Sequence, residues 1–232
     1  MPIAQNIQRI QEAIRHCSDK ACLVTTVAPI TIVAVTKGRT LEEINQALRS
    51  GIAIIGESRW QEASKKIHKL PSVEKHFIGH LQTNKVSSVV LAFDMIQSVD
   101  SLRLVKKIDE ECSKIGKTMP ILIEVNTSGE PQKTGADPGE TVELIRTISG
   151  FKAIEIRGLM TLACDSDDPE KIRACFRRLR ELSEKIKSEK IPNVIMETLS
   201  MGMTEDYKMA VEEGATMVRI GRGIFEDETM KL

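Results

Sequence analysis

The sequence predicts an α/β chain closed as a single (β/α)8 TIM barrel, and three observations carry that prediction. Eight apolar strand candidates alternate with helix patterns, joined by connections short enough for right-handed parallel crossovers. The first of them, Ile30 to Gly38 (ITIVAVTKG), is apolar on both faces, as a strand buried in a parallel sheet is. The length, 232 residues, lies near the roughly 250 typical of such barrels. A doubly wound open sheet also alternates, so the strand count and the length, rather than the periodicity, favour closure. No linker divides the chain, and residues 1–232 read as one domain.

The N-terminal segment spaces Ile3, Ile7, Ile10 and Ile14 as the buried stripe of an amphipathic helix, an extra element that plugs or flanks the barrel. The first strand then delivers Lys37 at its end. Thr40 and Glu43 form a capping box for a helix running to about Arg49, which Gly51 stops. A strand over Ile52 to Gly56 leads to Glu57 and Ser58, and a helix carrying Trp60, Ala63 and Ile67 runs on to Pro71. Strands at 75–79 and 94–98 flank a helix through Val86, Val89 and Val90. The next helix starts near Asp100 or Ser101, buries Val105, Ile108, Cys112 and Ile115, and closes at Gly116. Pro120 to Val125 is a strand, followed by a polar loop from Asn126 to Gly135. Asp137 as N-cap, Pro138 at the first helical position and Glu140 at the third open a helix ending at Gly150. Ile154 to Met160 is a strand, and Asp168-Pro169 opens the longest helix, with Ile172, Cys175, Phe176, Leu179, Leu182 and Ile186 inward. Val194 to Leu199 and Ala215 to Ile220 complete the strands, separated by a helix from Thr204 to Gly214.

Hydrophobic residues are 41% of the chain and charged residues 28%, the balance of an ordinary globular protein. Lys+Arg and Asp+Glu are both 33, which argues against a general electrostatic hold on nucleic acid. Arg177, Arg178 and Arg180 read as the solvated face of a helix. No apolar run approaches the ~20 residues of a membrane span, and the N-terminus lacks the apolar core of a secretion signal. Cys17, Cys22, Cys112, Cys164 and Cys175 are odd in number and lack a CxxC spacing, which suits a reducing compartment. The expected location is the cytoplasm.

In a barrel of this kind, sites lie at the carboxyl ends of the strands, and phosphate is commonly held after strands seven and eight. Polar and glycine residues gather there: Ser200-Met201-Gly202-Met203-Thr204 after the seventh strand, and Arg219-Ile220-Gly221-Arg222-Gly223 after the eighth. Amides exposed at a helix start by small residues make an anion site. Lys37, on the first strand, neighbours the eighth when the barrel closes. An apolar wall disfavours the charged form of an amine at such a strand end, while the loop keeps it reachable. An aldehyde-reactive amine beside a phosphate cradle calls for a ligand with both groups, and pyridoxal 5'-phosphate (PLP) fits. Arg219 could approach the pyridine nitrogen and weaken the ring as an electron sink. Each piece has a plainer reading as well: a lysine snorkelling to solvent, turn glycines, and an arginine salt-bridged inside the barrel mouth.

The segments AVTK (34–37), GES (56–58), HFIGHLQTNK (76–85), VNTSGEPQKTG (125–135), RGLMTL (157–162), LSMGMTEDY (199–207) and MVRIGRGIF (217–225) occur in order along nearly the whole chain. Together they resemble the pyridoxal-phosphate homeostasis proteins, the YggS/PROSC-like family. The resemblance implies a barrel of the alanine-racemase N-terminal type with PLP as cofactor. It puts Lys37 at the Schiff-base position, Ser200 and the Gly221-Arg222 segment at the phosphate, and Arg219 near the ring nitrogen, with Met160 and Met201 lining the ring. Two positions depart from the family pattern. Ser58 stands where asparagine usually follows Gly-Glu, and Arg222 replaces a small hydroxyl residue.

A racemase on this barrel needs a second acid/base from a further domain, for which no residues are left here. Tyr207, the only tyrosine, reads as the buried face of a helix, and His80 is the other candidate acid/base. The expectation is therefore a non-catalytic protein that holds PLP and buffers it or delivers it to PLP-dependent enzymes, and that is a monomer. An enzyme acting on amino acids through bound PLP, racemase-like, is the alternative. A lysine-dependent aldolase of sugar phosphates is a third.

Overall fold

The structure is a computed structural model that describes residues 2–20 and 29–226; Cys22 lies outside them. Parallel strands close into a barrel in chain order: β1 (Thr31–Val35), β2 (Ile54–Glu57), β3 (Glu74–Phe77), β4 (Met95–Val99), β5 (Met119–Glu124), β6 (Ile154–Met160), β7 (Val194–Ser200) and β8 (Met217–Ile220). β8 pairs back onto β1, with Ile32 opposite Val218 and Ala34 opposite Ile220. The expected (β/α)8 barrel is the fold the chain adopts.

The side-chain period of two divides each strand between two environments. Val33, Ile54 and Met217 meet inside the barrel, as do Met95, Leu122 and Met160. Ala34, Phe77, Ile96, Ile121, Ile123 and Val218 point outward into the core shared with the helices. Each large side chain fully buried there contributes about 1.5–3 kcal/mol.

Helices α2 (Leu41–Arg49), α3 (Trp60–Ala63), α4 (Val86–Ala92), α5 (Leu102–Lys114), α6 (Thr141–Ile148), α7 (Pro169–Ser188), α8 (Tyr207–Glu212) and α9 (Arg222–Phe225) follow the strands. The leading helix α1 (Pro2–Lys20) buries Ile3, Ile7, Ile10 and Ile14 and packs against α2, α8 and α9. Its Asn6 donates to the carbonyls of Ile224 and Glu226 at 3.0 and 3.1 Å, so the extra helix flanks the barrel beside its last turn. Thr40 and Glu43 form the expected capping box, and Asp168 caps α7 with Pro169 in its first turn. No helix among the described residues is long and apolar enough to cross a membrane.

Several elements depart from expectation, among them a helix expected from Thr204 that starts at Tyr207. β1 stops at Val35, so Lys37 lies in the following turn rather than on the strand. The helix expected to run from Trp60 to Pro71 breaks after Ala63 and resumes as a short 3-10 turn, Ile67–Lys69, because Lys66 turns inward to bond the backbone of Thr36. α6 starts at Thr141, not at Pro138, because the Asp137 carboxylate bonds the Gly139 N–H in a tight turn first. Ile115, expected on the buried face of α5, is 45% exposed beyond the helix end.

Candidate functional site

Val33 and Val35 face inward at the carboxyl end of β1, and Lys37 lies two residues further on, in the turn. A Cβ built on Gly221 would stand 3.4 Å from that of Val35, so the turn after β8 lies beside this series on the same rim. Lys37 is exposed and has no partner among the described residues, which corrects the expectation of an amine half-buried at a strand end. It sits past the strand, where the apolar wall has ended.

The turn that carries Lys37 is held from behind the barrel wall. Thr36 donates its N–H to Gly56 at 3.0 Å and its hydroxyl to Glu57. The buried amine of Lys66 donates to the Thr36 carbonyl at 2.7 Å and pairs with Glu57 and Glu62, each at 2.9 Å. Glu62 in turn accepts the Gly38 N–H. Gly38 has φ +71°, a left-handed conformation that glycine adopts without strain. Burial pushes the Glu57 carboxyl above its ordinary value, with Thr36 and Lys66 offsetting part of the rise. Its second oxygen is buried without a hydrogen-bond partner among the described residues. Burial works in the same direction on Glu62, but its bonds from Lys66 and Gly38 outweigh it and hold that carboxyl low.

On the other side of the mouth, Ser200 and Arg219 face the barrel axis. Arg219 is 3% exposed and donates to the Ser200 carbonyl at 2.8 Å, the Ser200 hydroxyl at 2.7 Å and the Thr161 carbonyl at 2.8 Å. Three of its five N–H groups are thereby used. Burial lowers the guanidinium to about 10, against the opposing pull of Glu124 and Asp206, so it is charged at neutral pH. The Ser200 hydroxyl donates to Gln97 at 2.7 Å. Ser200, expected at the phosphate, is fully buried at the last residue of β7, with its hydroxyl turned to Gln97 and Arg219.

Backbone supplies the rim here. Gly202 has φ +92°, and a Cβ on it would lie 2.6 Å from that of Ala210 and 2.9 Å from the Tyr207 Cα, so only glycine lets the loop after β7 close on α8. The Gly223 N–H donates to the Thr204 hydroxyl at 3.2 Å, stitching this loop to the turn after β8. Arg222 turns its side chain to Glu205 at 3.0 Å, the two being 57% and 63% exposed, and leaves its N–H without an acceptor among the described residues.

The remaining expected residues divide. Ser58, half-buried, follows the inward series Ile54, Gly56. Met160 packs on Met95 and Leu122 beneath the mouth. Met201, expected to line a ring, is fully buried in the helix-side core, because the residue after inward-facing Ser200 must face the other way. Tyr207 is buried against Gly202, as expected of a helical face. His80 is exposed across the mouth, 4.0 Å from Asp100, where both line a cavity of about 500 Å³ with Arg103 and Thr134. A larger cavity, about 880 Å³, lies at the opposite rim between α1 and the amino ends of β1 and β2, away from all of these groups.

Sequence reading missed Lys66, Glu62 and Gln97. A glutamine in the middle of the strand candidate DMIQS, next to Met95 and Ile96, was a usable signal; Lys66, in the run SKKIHK, offered none.

The family model described as alanine racemase, N-terminal domain, matches residues 2–228. The chain is 35% identical over 229 residues to a pyridoxal phosphate homeostasis protein of Pasteurella multocida, covering 97% of each. It is also 35% identical over 227 residues to one of Aquifex aeolicus, covering 97% of this chain and 98% of that protein. Among solved structures, PipY of Synechococcus elongatus with PLP bound superposes with a TM-score of 0.78 at 31% identity, over 93% of this chain and all of that one. A barrel of this kind, matched over its whole length, places the chain in the alanine racemase N-terminal domain family, among the pyridoxal phosphate homeostasis proteins.

Proposed function

We propose that the chain binds PLP, holds it as a Schiff base on Lys37, and acts in cytoplasmic PLP homeostasis as a buffering or delivering protein without turnover. The observation that carries this reading is an exposed amine, without a partner among the described residues, on a clamped turn one strand away from a glycine turn on the same rim. PLP supplies an aldehyde for such an amine and a phosphate for such a turn.

The donor set fits that group. Lys37 offers a primary amine with nothing to displace. Gly202, Gly221 and the Arg222 N–H offer backbone at the rim for the phosphate, and Arg219 keeps unspent N–H groups beside it for the ring nitrogen. Ser58 borders the opening, and Met160 forms its floor. Ser200 acts through Arg219, which it anchors. A cationic partner at the ring nitrogen keeps that nitrogen unprotonated, which supports holding the cofactor over amino-acid chemistry. The PLP-bound Synechococcus relative supports PLP binding.

The whole chain, 1–232, serves on this reading as one cofactor-binding domain, monomeric, with PLP-dependent enzymes as recipients. The test is the absorption spectrum of purified protein loaded with PLP, before and after borohydride, with peptide mapping. A lysine-imine band that reduction removes, fixed on the Lys37 peptide, is expected. No band, or a label on another lysine, overturns the reading.

The cavity lined by His80, Asp100 and Arg103 favours one alternative, an enzyme acting on amino acids at the same cofactor. Steady turnover of any amino acid by the wild-type chain, lost in Lys37→Ala, selects it.

A further inference from the structure

Five side chains form a continuous polar string up the barrel axis. At its lower end the Glu74 carboxylate, 48% exposed, lies 2.7 Å from His76 Nε2. His76 Nδ1 is 2.7 Å from Gln97 Nε2, Gln97 Oε1 accepts from the Ser200 hydroxyl at 2.7 Å, and the Ser200 Oγ accepts from Arg219 at 2.7 Å. His76, Gln97 and Ser200 are all fully buried, and only the string's two ends approach solvent or the mouth.

The direction of every bond in the string follows from its members. An arginine N–H can only donate, so Ser200 Oγ accepts at that side and has its one proton left to give. Gln97 Oε1 takes that proton. The Gln97 amide nitrogen must then donate, which it does to His76 Nδ1 and toward the Met217 sulfur at 3.2 Å. The amide is thus fixed in one orientation: a flip would bring its oxygen to the sulfur, a weak acceptor, and turn its N–H groups on Ser200. Ser200 would then have two donors aimed at its oxygen and a loose proton.

We infer that Gln97 is a positioning residue for the cofactor site, fixing the Ser200 hydroxyl from the barrel axis and through it the Arg219 guanidinium. The inference rests on the reading of Arg219 and Lys37 given above. Gln97 is fully buried and reaches the mouth only through the Ser200 hydroxyl. A guanidinium buried to this depth is held by two carbonyls and one hydroxyl, and the hydroxyl is the only one of the three free to rotate. Gln97 removes that freedom.

The test compares wild type, Gln97→Met, Gln97→Glu and Ser200→Ala, each titrated with PLP for affinity and for the absorption maximum of the lysine imine, with thermal melting alongside. Gln97→Met keeps the volume and removes the acceptor; a roughly tenfold loss of affinity and a displaced absorption maximum are expected. Gln97→Glu still presents an oxygen to Ser200, and its second oxygen faces His76 Nδ1, which can carry a proton toward it; it should lose less than Gln97→Met and stay within about threefold of wild type. In the Ser200→Ala background, Gln97→Met should add less than about twofold, because the link it breaks is already gone. Wild-type affinity and spectrum in Gln97→Met, equal damage in Gln97→Glu, or a full additive effect in the Ser200→Ala background each overturn the inference. Should Gln97→Met fail to fold, the retention or loss in Gln97→Glu decides. A wild-type chain that forms no reducible imine on Lys37 sinks the functional reading instead, and shows it before any variant is compared.

Discussion

The two sides of the barrel mouth are built on opposite plans. After β1, the side chain of Lys37 is free and its backbone is clamped, by Lys66 on the Thr36 carbonyl and Glu62 on the Gly38 N–H. After β7 and β8, the side chains of Ser200 and Arg219 are committed to one another inside the barrel, and backbone at Gly202, Gly221 and Arg222 forms the rim. The first side is held by a small cluster of charges lying outside the barrel wall, the second by neutral acceptors within it. The difference follows from what each side has to present. On the proposed function, an amine that must react cannot be spent on a partner, and the main chain around it is fixed instead. A cradle for an anion uses main-chain donors, and the nearby side chains can be consumed as struts.

The largest effect should come from the free side chain. Lys37→Ala removes the imine band altogether and weakens PLP binding by at least about 100-fold, or ~2.8 kcal/mol, while some binding remains through the rim after β7 and β8. Absorption and equilibrium dialysis measure the two separately. Loss of all binding would mean that the two sides do not act as separate anchors.

Lys66→Met attacks the clamp instead. It leaves Glu57 buried without its cation, and truncating one partner of a buried pair costs about 3–5 kcal/mol of stability. The melting temperature should fall, and Lys37, though untouched, should form its imine less completely because its turn is no longer held. A destabilised variant whose imine forms as in wild type would show that the cluster stabilises the fold without positioning the amine.

Much of the first side was legible in the sequence, and the clamp was not. The run ITIVAV declares a strand buried on both faces, and period two then fixes which way Val33, Val35 and the residues after them point. Facing is a local property. Partnership across a closed barrel is not: Ser200 meets Gln97 across 103 positions, and Thr36 meets Lys66 across 30. Closure brings the first pair together and the pairing of β1 with β2 the second, and nothing in the pattern around Gln97 or Lys66 names the partner. The loss of Met201 from the expected ring contacts has the same source in reverse. A run of polar and glycine residues after β7 announces a site, but alternation sends Ser200 and Met201 to opposite faces, and only one of them can reach it.

The clamp also has a pH signature. Burial raises the Glu57 carboxyl above 4.5, so the folded chain holds that proton more tightly than the unfolded chain does. Below about pH 4.5 both states are protonated, and ionisation of Glu57 costs nothing. As pH climbs, the unfolded chain releases the proton first, and the wild type loses stability relative to Glu57→Gln until pH passes the raised value. The difference in melting temperature, wild type minus Glu57→Gln, should therefore shrink with rising pH across that window and then level off. A difference that grows with pH would mean that Lys66 stabilises the carboxylate more than burial penalises it.

The smallest effect, and the sharpest test of the second side, belongs to Arg222. If backbone alone forms the rim there, the side chain is dispensable, and its exposed contact with Glu205 is of the kind that contributes about 0–1 kcal/mol. Arg222→Ser should keep stability within about 0.5 kcal/mol and PLP affinity within about twofold, because the Arg222 N–H is unaltered. A tenfold weakening that added salt reduces would require the guanidinium to leave Glu205 for the phosphate. Both sides of the mouth would then grip with a side chain, and the contrast between them would survive only in how each backbone is held.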